Sequence, residues 1–94
     1  MAERVHELKT WPSFFEAVLN GTKRHEIRRN DRDFAVGDVL HLREWQFRLI
    51  EKTPAKDTGW YTGRSLRARV TYVSPGGQVG IAADYVVMSI EACE

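Results

Sequence analysis

Apolar positions along the chain fall into one helical stripe and several strand-like alternations. Residues 5–9 (Val-His-Glu-Leu-Lys) alternate and predict a short first strand. Trp11, Phe14, Phe15, Val18 and Leu19 then recur at i, i+3, i+4, i+7 and i+8, the spacing of one helix face. Pro12 suits the first turn of that helix, where its missing N–H costs nothing, and Gly21 supplies a left-handed stop. Trp11, Phe14 and Phe15 share the apolar face and are expected in the core. This is the only convincing helix.

Everything after it reads as strand and turn. Residues 23–28 form a charged strand ended by the turn-prone Asn30-Asp31. Phe34-Ala35-Val36-Gly37-Asp38 leads tightly into a strand at 39–45. The polar stretch 46–60 contains Pro54 and Gly59 and reads as a long hairpin or excursion, partly paired around Phe47–Ile50. Across 65–73, Leu66, Ala68, Val70 and Tyr72 share one parity, which points Arg67 and Arg69 to solvent. Pro75-Gly76-Gly77 breaks that strand, and Tyr85–Ile90 closes the set; Tyr72 and Tyr85 are expected in the core. One helix and about five strands at short spacing predict an α+β, mainly β domain: a small closed β-barrel with a capping helix.

Composition narrows this picture. Residues 1–94 suit one domain and leave no room for a second. Such a chain buries roughly 60–65% of its unfolded surface, enough for one modest core. A single cysteine, Cys93, excludes an internal disulfide and fits a reducing compartment. No run approaches a membrane span, and the polar first residues lack an apolar leader, so a cytoplasmic protein is expected. The net charge of +1 excludes an indiscriminate polycation. His6, His25 and His41 lie on different predicted elements without a cysteine partner, so neither a metal nor a cofactor is expected.

Charge position is more informative than charge sum. From Lys23 to Arg32 there are five basic residues (Lys23, Arg24, Arg28, Arg29, Arg32) and two acids (Glu26, Asp31), with Ile27 the one large apolar side chain. Alternation points Arg24, Glu26 and Arg28 one way and Lys23, His25, Ile27 and Arg29 the other. A strand with so little to bury is either a charged sheet edge or the lining of a polar cleft.

Gly21-x-Lys23-x-x-Glu26-x-Arg28 resembles the G-x-K-x-x-E-x-R signature of the ASCH domain, a relative of the PUA RNA-binding fold. His6-Glu7-Leu8-Lys9, Val36-Gly37-Asp38 and Tyr61-Thr62-Gly63-Arg64 look like a small phage-associated and bacterial branch of that superfamily, and the resemblance spans about His6 to Ile90. It implies a PUA-like barrel, a cleft between barrel and helix, and recognition of RNA or a modified nucleotide.

Within that reading Lys23 would meet a phosphate, Glu26 a base edge, and Arg28 a planar anion. Arg29, Arg32, Trp45 and Arg64 are further ligand-binding candidates, and Trp60 and Tyr61 are candidate stacking rings. Some bacterial ASCH proteins resemble this chain at the glycine–lysine step and are thought to remove an acyl group from a modified cytidine. As such an amidohydrolase the chain would use Lys23 and Glu26, with Glu44 a candidate for a further glutamate; those enzymes carry threonine where Glu26 stands. A phage-type module that binds a host protein is a third possibility. Salt-dependent RNA affinity, deacylation of an acylated cytidine, and a nuclease-resistant host partner distinguish the three.

Overall fold

The computed structural model describes residues 3–93; Met1, Ala2 and Glu94 lie outside the described residues. Its elements run β1 (Val5–Thr10), α1 (Pro12–Leu19), β2 (His25–Arg29), β3 (Val39–Ile50), β4 (Thr53–Ser74) and β5 (Tyr85–Ala92). The fold is mainly β, with one short helix. The strands form a single sheet in the order β1-β3-β4-β5-β2, parallel between β1 and β3 and antiparallel elsewhere. After β1 the chain crosses through α1 to the opposite edge, lays down β2, and returns to β3 beside β1.

The backbone ladder is open, which corrects the closed barrel expected from strand count. No ladder joins β1 to β2 among the described residues; arginines span the gap instead. Arg28 Nη2 donates to the Lys9 carbonyl at 3.0 Å, and Arg32 Nη1 donates to the Glu7 carbonyl at 2.7 Å. Arg4 Nη2 donates to the carbonyls of Arg32 and Asp33 at 2.9 and 2.7 Å. Edge carbonyls that would otherwise offer pairing sites are thus occupied by side chains.

The core lies in the hollow of this curled sheet. Leu40, Leu42, Ala68, Val86 and Met88 are fully buried there, with Leu8 of β1 and Val18 of α1 packed against them. Only Phe15 and Val18 of α1 are buried. Leu19 and Phe14 are exposed, a correction to the helix stripe expected in the core. An eight-residue helix over the mouth of a narrow sheet touches it along one thin line. Tyr72 is 63% exposed and Tyr85 is also exposed, against expectation. At Thr71 the pairing of β4 with β5 shifts by a residue, so side-chain parity flips and Val73, not Tyr72, packs on the core.

The stretch 46–60 is the long hairpin that the sequence offered, paired beyond Phe47–Ile50. It is a two-stranded ribbon in which Phe47 pairs with Gly59 and Ile50 with Thr53. Glu51 and Lys52 make its turn with φ of 50° and 67°, the left-handed pair that matches strand twist. The Val36-Gly37-Asp38 word is structural. Gly37 takes φ 95°, and buried Asp38 accepts hydrogen bonds through Oδ2 from the Ala35 amide at 3.0 Å and from His6 Nε2 at 2.8 Å.

Candidate functional site

The glycine–lysine step is fixed by how α1 ends. Gly21 turns left-handed with φ 84°, and its amide bonds to the Val18 carbonyl at 3.1 Å. The Lys23 amide bonds back to the Ala17 carbonyl at 3.0 Å, and Thr22 Oγ1 donates to Asn20 Oδ1 at 2.7 Å. Lys23 is therefore pinned against the helix two residues before β2 begins.

From there strand alternation does the rest. Glu26 and Arg28 point inward and Ile27 outward, as the sequence pattern predicts; Glu26 is 3% exposed and Ile27 56%. Lys23 and Arg24 precede β2 and depart from that alternation: Lys23 reaches Glu26 and Arg24 is exposed. The Glu26 carboxylate is gripped on both oxygens. Lys23 Nζ donates to Oε1 at 2.8 Å and Arg28 Nε donates to Oε2 at 3.0 Å. Lys23 Nζ also donates to the His25 carbonyl at 2.6 Å, which leaves one ammonium N–H. Arg28 Nη2 serves the Lys9 carbonyl and approaches Thr10 Oγ1 at 3.4 Å, while its Nη1 has no hydrogen-bond partner among the described residues. A carboxylate so buried is tolerable because both oxygens are paired and hydrogen-bonded. The trio keeps a net +1 and presents spare donors.

These groups form one wall of a cleft of about 340 Å³ between α1, β1 and β2, lined also by Lys9, Thr10, Trp11, Phe14, His25 and Ile27. Trp11 and Phe14 stack with ring centroids 5.5 Å apart, and Lys23 Nζ sits 5.5 Å from the Phe14 centroid. The cleft therefore combines an aromatic floor with a cation-rich wall, a pairing suited to a flat ring carrying an anionic group. Thr10, Trp11 and Phe14 were missed as cleft residues. The aromatics sit on the stripe that reads as core, and Thr10 carries no signal in the sequence.

The remaining candidates go elsewhere. Arg29 reaches Asp84 at 3.6 Å on the surface, and Arg32 is committed to the Glu7 carbonyl. Trp45 is only 9% exposed, with Lys9 Nζ 4.0 Å above its ring and Tyr61 edge-on at 4.9 Å. Trp45 therefore offers no open face for a base. Arg64 forks onto buried Glu44, with Nε to Oε1 and Nη2 to Oε2 both at 3.0 Å, and also bonds Glu16 Oε2 of α1 at 2.9 Å. Thr62 Oγ1 donates to Glu44 Oε1 at 2.7 Å. The hydrogen bonds from Arg64, then Thr62, hold the Glu44 carboxyl below the ordinary glutamate value. Glu44 and Arg64 thus tie the helix to the sheet. Among the described residues no group of three or more His, Cys, Asp or Glu could hold a metal ion, and no helix is long and apolar enough to cross a membrane.

Comparison with known proteins gives kinship without a function. The "Uncharacterized 12.9 kDa protein in GpA 3'region" of Escherichia phage P2 is 38% identical over 74 residues, 79% of this chain. The chain spans 58% of that relative's length. Residues 5–90, from the first strand into the last, match the family described as a domain of unknown function, DUF3850, and the chain belongs to that family.

Proposed function

We propose that the chain is an ASCH-type, PUA-like module that binds RNA or a modified nucleotide in the cleft beside α1. One observation carries the reading: Lys23, Glu26 and Arg28, spaced as in the ASCH signature, meet on a single buried carboxylate in the wall of an aromatic-floored cleft. A base lies against Trp11 and Phe14, while the spare N–H of Lys23 and Nη1 of Arg28 meet a phosphate. Glu26 holds both cations in place and reduces their mutual repulsion.

The test is RNA affinity as a function of salt, for the wild-type chain and for Lys23→Ala and Arg28→Ala. Each variant is expected to weaken binding and to flatten the log–log salt slope by roughly 0.7, the value for one lost single-strand phosphate contact. No binding to a random RNA pool at low salt, or unchanged affinity in both variants, refutes the reading. The hydrolase alternative loses its further glutamate to the Arg64 fork. Release of free cytidine from an acylated cytidine, abolished by Lys23→Ala, would restore it.

A further inference from the structure

The cleft does not end at its own wall. Lys9 lines it and lies 4.0 Å above the Trp45 ring; Trp45 meets Tyr61 at 4.9 Å; and the Arg43 guanidinium lies 3.7 Å over the Tyr61 ring. Strand register makes these contacts contiguous, because Lys9 is the partner of Arg43 and Trp45 the partner of Tyr61. On the helix side Trp11 meets Phe47 at 5.6 Å. A track of alternating cations and rings thus leaves the cleft and runs onto the base of the β3–β4 ribbon. We propose that this track carries the neighbouring nucleotide of a single-stranded nucleic acid whose target residue occupies the cleft. The inference rests on the proposed function and makes the ligand part of a strand instead of a free nucleotide.

Charge and shape both favour that occupant. Lys9 has no acidic partner among the described residues, so its ammonium is available to the phosphate that follows the cleft. Arg43 bonds Glu7 Oε1 at 2.7 Å through Nη1 alone, in a half-exposed pair that salt and solvent weaken. Its other N–H groups remain for a second phosphate. The planar guanidinium over Tyr61 makes a two-layer stack on which any base can rest, since every base has a π-face. Trp45, buried beneath, fixes the position of this stack.

The experiment measures binding of random single-stranded RNA and DNA oligonucleotides of about 8 nucleotides, a length one small domain spans. The variants are Arg43→Gln and Tyr61→Leu, together with Lys23→Ala and Arg28→Ala. Leucine keeps apolar bulk beside Trp45 without a ring face, and unchanged thermal melting checks folding. Roughly tenfold weaker binding in Arg43→Gln and Tyr61→Leu, for either nucleic acid, supports the track. Weakening confined to Lys23→Ala and Arg28→Ala overturns the track and leaves the cleft reading standing. Weakening confined to the track variants removes the cleft reading and overturns the proposal with it, because no target residue then occupies the cleft. Absence of any oligonucleotide binding at low salt overturns both.

Discussion

Replacing Glu26 with glutamine tests how the site is built. The substitution keeps shape and removes one negative charge, so Lys23 and Arg28 go from a net +1 to +2 around a group whose side chain is 4% exposed. A glutamine amide can accept from one cation but must present its NH2 to the other. The bond to the amide oxygen loses its anionic acceptor and weakens by about 1 kcal/mol, and the other is replaced by donor facing donor, losing about 2 kcal/mol. Lys23 and Arg28 side chains are 17% and 25% exposed, so water recovers part of that loss. The expected destabilisation is about 2–3 kcal/mol, or roughly 10–20 °C in Tm for a domain of this size. Urea unfolding at neutral pH measures it. Adding Lys23→Met should recover about 1 kcal/mol, because the stranded cation is then gone, and a double-mutant cycle reads that coupling. A loss below about 0.5 kcal/mol, or strict additivity, would refute the hub role of Glu26.

Other outcomes follow from the same structure. Arg64→Ala strands the buried Glu44 carboxylate and should lower the urea unfolding midpoint. Glu44 has a folded pKa below its unfolded one, so its contribution is present above the ordinary glutamate range and fades as pH falls through the folded value. Stability should therefore decline as pH falls below the ordinary glutamate range, less steeply in Glu44→Gln, as followed by denaturation at successive acidic pH values. A Cβ on Gly59 would run into the Gln46 carbonyl, so Gly59→Val should speed amide exchange across 45–61 while core amides such as that of Met88 stay protected. Met88→Ala, at a fully buried position, should cost about 2–5 kcal/mol, whereas Tyr72→Ser should stay within about 0.5 kcal/mol by the same unfolding measurement.

Local chemistry was readable wherever a single residue decides it. Gly21 announces the helix stop, Gly37 and Asp38 the turn before β3, and plain alternation the inward Glu26 and Arg28. What escaped depends on pairing between distant segments. The bulge at Thr71 turns Tyr72 outward, and nothing in its own stretch signals that. Pro54 and Gly59 mark the long hairpin in the sequence, but not that both lie within β4, where it pairs with β3 alone. There proline can turn its missing N–H side to solvent, and glycine admits the close approach of the Gln46 carbonyl. Sheet closure was misjudged for a related reason. Arginine side chains reach from β2, and from the turn after it, to carbonyls of β1, and a strand count carries no trace of them. Phe14 reads as core from the sequence because helical spacing identifies a face without saying how much of it is covered.

The proposed site of nucleic-acid binding is the cleft between α1, β1 and β2. An amide chemical-shift titration of the chain with a short single-stranded RNA reports on it residue by residue. Binding at the cleft predicts that the largest shifts fall in residues 9–14 and 23–28, and that Lys23→Ala reduces them. Shifts centred instead on the solvent face of β4 around Arg67 and Arg69, or none at all, would contradict it.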